Sequence, residues 1–405
     1  MTDRKYLRGM ISFILLGILL SSAACRLQLP QEQILPTQTH APVSSLASPA
    51  APTVTPPPHT KTPPTSTLTL SPSVSTFPTQ SPSPTATRPP TETSHPHRLV
   101  EYDPSQWIEY VSYSEAGPTG AEVRSIALAP DGTLWVAISD GVFHFDGSTW
   151  TKYTVEDGLA ENYSRLIAVD AQGTVWAIHD SSRISSFDGT SWQTYESNNG
   201  NITSIACDAA GAIWFSTYAP QRNGEMAGVL QFFAGQWRTY NKGIEGLKVW
   251  DIELDANGVL WSGTDRGLAR LDGETWQLYP TTLFWPGETP VLHVAAAPDG
   301  AIWFLAEGQG MTRFEDGGWT NYRYPALYGS FPSPMSLLIA RDGQVWVGGM
   351  DNQNGYGGAL VSFDGNEWTQ YVGLPFYMGR DILQASDGAL WFATESGVFK
   401  YLLGK

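Results

Sequence analysis

The stretch Asp131-Gly132-Thr133-Leu134-Trp135-Val136-Ala137-Ile138-Ser139-Asp140-Gly141-Val142-Phe143-His144-Phe145-Asp146-Gly147-Ser148-Thr149-Trp150-Thr151-Lys152-Tyr153 decides the fold. It reads as three short apolar-rich strands, 134–138, 142–145 and 150–153, separated by Asp-Gly turns. Asp-Gly suits tight connections because its residues adopt positive φ readily. Just upstream, Val123 to Ala129 alternates apolar residues and supplies a fourth strand. The four together predict one small antiparallel sheet.

That unit recurs. Gly-x-aliphatic-Trp occurs with tryptophan at 135, 176, 214, 261, 303, 346 and 391, in steps of 38 to 47 residues. Such a period is that of propeller blades. A second unit, aromatic-Asp-Gly-x-x-Trp-x-x-Tyr, appears at Phe145 to Tyr153, Phe187 to Tyr195 and Phe363 to Tyr371. Variants run from Leu271 to Tyr279 and Phe314 to Tyr322, with a copy one residue shorter ending at Tyr240. Fourteen of the 16 tryptophans occupy these two positions, leaving Trp250 and Trp285 outside. Tryptophan at a fixed repeat position is expected to fill the wedge between neighbouring sheets. The reading is all-β: a seven-bladed β-propeller with four antiparallel strands, A to D, per blade. The seventh repeat lacks its Trp-x-x-Tyr strand, and Tyr102 to Tyr110 carries the missing copy. The N-terminal strand is thus expected to close the last blade, over residues 99–405.

Composition agrees. Charged residues are 15% of the chain, with 40 glycines, 16 tryptophans and eleven Asp-Gly pairs after residue 101. A net charge of −16 argues against a nucleic-acid partner, which needs clustered lysine and arginine. Two cysteines cannot build a disulfide framework.

The N-terminus reads as an address. Arg4, Lys5 and Arg8 precede an apolar run from Met10 to Leu20, shorter than the ~20 residues of a membrane span. Ser21-Ser22-Ala23-Ala24-Cys25 follows, and resembles the bacterial lipoprotein signal. The resemblance implies removal of residues 1–24, lipid on Cys25 and attachment to a membrane at the bacterial cell surface or in the periplasm. Ser22 departs from it, because an aliphatic residue is usual there. From Arg26 to Arg98, 42 of 73 residues are Pro, Ser or Thr, so 25–98 is expected to be a disordered tether. Its histidines, 40, 59, 95 and 97, are expected to be neutral filler.

Asp-x-x-Gly-x-aliphatic-Trp followed by Gly-Val-Phe-x-Phe-Asp-Gly resembles the repeat of two-component-regulator propellers. That family implies an extracytoplasmic sensor module, often fused to a histidine kinase. Only four residues follow Tyr401, so signalling is expected to need a separate partner. Gly300 to Phe304 also resembles streptogramin lyases, which implies an Mg²⁺-dependent elimination with His293 and Glu307 in two places of the site. Val291 stands where that family has a glutamate.

Length variation falls on the face carrying the B–C and D–A connections. Three consecutive D–A crossings bring Phe284, Trp285, Tyr328, Phe331, Phe376 and Tyr377, expected to form an aromatic crescent for a glycan, peptide or protein ligand. The 218–228 loop is the next candidate. Asp351, Asn352 and Asn354 are rich in oxygen but lack the spacing of a known Ca²⁺ loop. Cys207 reads as a buried small apolar residue, and His144 and His179 lie on strands without a carboxylate motif. The expectation is a monomeric binding module needing no metal or cofactor. The alternatives are the lyase and a purely structural surface protein.

Overall fold

The computed structural model describes residues 91–93, 95–111, 122–180, 183–197, 200–218, 228–283, 285, 287–306, 310–323, 333–350 and 359–403. Seven blades, each of four antiparallel strands, follow one another along the chain. Blade 1 pairs strand A (Val123–Leu128), B (Leu134–Ile138), C (Gly141–Phe145) and D (Trp150–Tyr153) in sequence order. Blades 2 to 6 repeat that order from strand A at Ser164–Val169, Asn201–Cys207, Val249–Leu254, Val291–Ala296 and Ser333–Ile339. Blade 7 contributes Gly379–Gln384, Leu390–Thr394 and Val398–Tyr401. Its fourth strand is Trp107–Val111, antiparallel to Val398–Tyr401, as the displaced repeat copy predicts.

The core is divided among the seams. Seven hydrophobic clusters each join two adjacent blades. At the seam of blades 1 and 2, Trp135 meets Phe187 and Trp192, in a cluster that also holds Val142, Ile167 and Val169. All seven strand B tryptophans are buried. The strand D set is less uniform. Trp150 is half-buried, and Trp237 is 38% exposed, so it is not the core residue expected. Trp237 sits in the repeat shortened by one residue, where a two-residue turn at Ala234-Gly235 (φ 49° and 75°) sets the C–D pairing.

The turns also differ from the expectation. In the A–B turn of blade 1 only Gly132 has positive φ (86°). Asp131 stays at negative φ, and its carboxylate accepts the Thr133 amide at 2.9 Å. Aspartate therefore serves these turns chiefly as an acceptor.

Ordered pairing starts before residue 99. Thr91–Thr93 lies parallel to the outer strand of blade 5, and His97–Glu101 parallel to that of blade 6. His95 between them packs on Tyr322 and Phe363 and contacts the Asn366 carbonyl at 3.0 Å, so it is not filler. Main-chain bonding to an exposed strand edge needs no apolar pattern, which is why composition assigned these residues to the tether.

Candidate functional site

Every strand A carries an irregularity in its first half, next to the crossing that enters it. Pairing with strand B slips between Val123 and Ser125, Ser164 and Leu166, Ile202 and Ser204, Val249 and Asp251, Val291 and His293, Pro334 and Ser336, and Gly379 and Asp381. A bulge leaves one residue out of the ladder and re-aims the side chains around it. Strand A lines the axis of a propeller, so seven bulges at the same place in each blade set two circles of residues around one mouth of that axis.

The residues after the bulge clasp the blades together. Asp381 accepts the Ser125 hydroxyl at 3.0 Å and the Ile126 amide at 3.1 Å. Ser204 donates to Asp251 at 2.7 Å, and Asp251 accepts the Val294 amide at 2.9 Å, tying blades 3, 4 and 5. His293 donates to the Pro334 carbonyl, and Ser336 to the Gly379 carbonyl at 3.2 Å. Blade 2 places Leu166 there. Burial pushes the Asp251 carboxyl up to about 8 and His293 down to about 4. Their 4.0 Å approach is thus a contact between largely uncharged groups.

The unpaired residues themselves are Arg124, Arg165, Thr203, Trp250, Leu292, Met335 and Arg380. Blades 7, 1 and 2 give three consecutive arginines. Arg124 and Arg380 both donate to the same Glu122 oxygen at 3.1 Å, and Arg124 lies over the Tyr163 ring at 4.8 Å. Arg165 donates to the Ile202 carbonyl, 3.7 Å from Asp180. In blades 3 and 4, Tyr218 packs against Trp250 at 5.8 Å, with the Lys248 ammonium over both rings. The sequence reading missed this mouth. Its signal was an arginine or tryptophan recurring at the second position of the inner strand, and Trp250 was already one of two tryptophans outside the repeat positions.

Three of the six crescent residues fall among the described ones. Phe284, Tyr328 and Phe331 lie outside the described residues, as do Glu307, Asp351, Asn352, Asn354 and Cys25. Trp285 is buried against Phe304, and Phe376 is 2% exposed among Trp107, Phe392 and Phe399. These two rings cap the wedges at the ends of blades 5 and 7, so their faces are not free for a ligand. Only Tyr377 presents an exposed ring among the described members. Of the lyase positions, His293 is spent on the clasp and Val291 is fully buried in a seam. Among the described residues no three His, Cys, Asp or Glu side chains converge on a metal position. His179 is buried between Ser164 and Ser185, and burial pushes it down to about 4. His144 stacks on Trp135 at 4.3 Å, and Cys207 packs half-buried at the seam of blades 2 and 3.

Residues 196–219, which hold the inner strand pair of blade 3 and its bulge, match the family profile described as Two component regulator propeller. A search of curated proteins returned no match. Among solved structures, a streptogramin B lyase superposes with a TM-score of 0.59 at 18% identity, over 73% of this chain and 96% of that one. The extracellular domain of a B. thetaiotaomicron protein described as a hybrid two component system gives 0.55 at 19%, over 70% of this chain and 40% of that one. YCF48 bound to a D1 peptide gives 0.57 at 17%, over 76% and 99%. At such identities the likeness shows the fold alone.

Proposed function

We propose that the chain is an extracytoplasmic, lipid-anchored binding module, sensor-like and without catalysis, that takes its ligand at the mouth ringed by the strand A bulges. The observation that carries this is chemical. A bulge ring needs only apolar side chains, as Leu292 and Met335 show, yet four of its seven members are arginines or tryptophan. Aromatic and arginine side chains are the types enriched at binding hot spots. The two-component-regulator repeat and the likeness to an extracellular propeller support the sensor reading and its location. YCF48 shows that a propeller of this shape is compatible with a peptide ligand. The anchor rests on residues 10–25, and mass spectrometry of Cys25 tests it: an unmodified thiol in the cell-expressed protein removes the anchor from the proposal.

The mouth is tested by screening the full-length chain against glycan and peptide arrays, then repeating the positives with Trp250→Ala. Trp250 is half-buried and outside every hydrophobic seam cluster, so the variant should fold normally. Binding should weaken about 30-fold or more if Trp250 is a hot spot. Unchanged binding by the folded variant, together with unchanged binding by Arg124→Ala, places the ligand elsewhere and overturns the reading.

A further inference from the structure

Three arginines stand side by side at one position of the ring, on blades 7, 1 and 2, in a chain of net charge −16. Two are buried and the third half-buried: side-chain exposure is 8% for Arg380, 5% for Arg165 and 19% for Arg124. Removing a guanidinium from water is costly unless a carboxylate and a full set of acceptors replace the water. Here the replacement is incomplete. Arg124 and Arg380 share a single oxygen of Glu122, itself 41% exposed. Among the described residues the carboxylate paired with Arg165 is Asp180, which is 66% exposed and, at 3.7 Å, beyond hydrogen-bond distance. The Nε–H groups of all three arginines are buried without a hydrogen-bond partner. Glu395, the other carboxylate facing Arg380, is already occupied by the Tyr377 and Met378 amides at 2.9 and 2.8 Å and by Ser396.

The remaining members of the ring show that this position does not require a cation. Leu292 and Met335 hold the same position in blades 5 and 6. A fold that closes its ring with leucine and methionine has no need of three guanidiniums. What three preorganised, under-paired guanidiniums do well is grip a planar or tetrahedral oxyanion through paired N–H donors. Glu122 reaches in from the residue before strand A and holds two of them at one point, as an internal stand-in for such a group.

We infer that the arginine arc formed by Arg380, Arg124 and Arg165 is an oxyanion subsite, and that the ligand of the channel mouth carries a carboxylate or phosphate. This rests on the mouth being the binding site, and it adds the chemical class of what binds there. Glu122 then acts as the competitor that an incoming anion displaces.

The test is calorimetric titration of the full-length chain with malonate, with inorganic phosphate and with neutral glycerol, each with chloride at 150 mM. Saturable binding of malonate assigns a carboxylate and of phosphate a phosphoryl group; glycerol should give none. Arg165→Gln and Arg380→Gln should weaken the binding at least tenfold. Glu122→Gln should tighten it, because two guanidiniums lose their internal partner. A structural role alone predicts no gain from Glu122→Gln. Should either glutamine variant unfold, Arg124→Lys keeps the charge, removes the paired-donor geometry, and should still weaken binding several-fold. Failure of both anions to bind, or binding indifferent to the arginines and to Glu122, overturns the inference. A glycan or peptide that binds in a Trp250-dependent way while ignoring the arginine variants overturns it too, and leaves the mouth as the site.

Discussion

In blades 2, 3 and 4 the A–B turn opens with an aspartate six residues before the strand B tryptophan, and its carboxylate accepts the indole N–H. Trp176 donates to Asp170 at 3.2 Å, Trp214 to Asp208 at 3.1 Å and Trp261 to Asp255 at 3.1 Å. In blades 5, 6, 7 and 1 the turn aspartate stands four residues before the tryptophan and cannot play that part. In blades 5 and 7 it holds a strand C cation instead: Asp299 with Arg313 at 2.8 Å and Asp387 with Lys400 at 2.9 Å. That cation covers the indole face, at 5.9 Å from Trp303 and 5.1 Å from Trp391. The Trp346 and Trp391 indole N–H groups are buried without a hydrogen-bond partner. One packing slot is thus filled in two ways, an indole hydrogen bond in blades 2, 3 and 4, joined in blade 4 by Arg270 over the Trp261 ring at 5.8 Å, and a cation held by the turn aspartate in blades 5 and 7. The two arcs also differ outside. Blades 5, 6 and 7 are edged in turn by Thr91–Thr93, His97–Glu101 and Trp107–Val111, whereas each of blades 2 to 4 has four consecutive strands of its own.

The arc that borrows strands should be the one that fails first. Deleting Leu99 to Tyr110 removes the outer strand of blade 7 and half of the strand edging blade 6. It takes Trp107 from a cluster containing Trp346, Phe392 and Tyr401. Loss of a buried tryptophan alone typically costs ~3–5 kcal/mol. Thermal denaturation should show a collapse of the cooperative transition, and an unchanged midpoint would break the closure. A smaller blow to the same arc is Trp285→Ala with Phe376→Ala. Both rings cap seams, so each truncation should destabilise by ~3–5 kcal/mol. A double variant as stable as the wild type in denaturant titrations would return these rings to the candidate ligand surface.

The difference between the arcs was legible in part. The six- and four-residue offsets are visible in the sequence as Asp170-x-x-Gly against Asp131-Gly, and the repeat positions alone fixed blade number and the borrowed strand of blade 7. Outer features show because they rest on local chemistry: turn residues, large rings, alternation. The edge strands at 91–93 and 97–101 did not show, since their pairing is main chain to main chain. The inner rim was least legible. Arg124, Trp250 and Asp251 sit in six-residue inner strands, and a one-residue bulge changes where each side chain points without leaving a signature in the pattern. The burial of two crescent rings was hidden for a related reason. A loop position suggests exposure, but Trp285 and Phe376 fold back over the open ends of the seams.

The finest test compares the arcs directly. Asp208→Ala leaves the Trp214 indole N–H and the amides of Ala210 and Ala212 without their acceptor. Trp214 is buried, so water does not replace the lost bond, and orphaning a buried donor costs about 1–3 kcal/mol. Asp387→Ala removes one turn bond, to Ala389, and an ion pair whose aspartate is 55% exposed. Such pairs contribute about 0–1 kcal/mol and are screened by salt. The Trp391 indole has no acceptor to lose. Chemical denaturation should therefore rank Asp208→Ala clearly below Asp387→Ala in stability, with only the Asp387→Ala deficit shrinking in molar salt. Equal losses, or a salt-sensitive loss at Asp208, would mean that the turn bonds rather than the tryptophan's partner set the stability, and the two arcs would then be energetically alike.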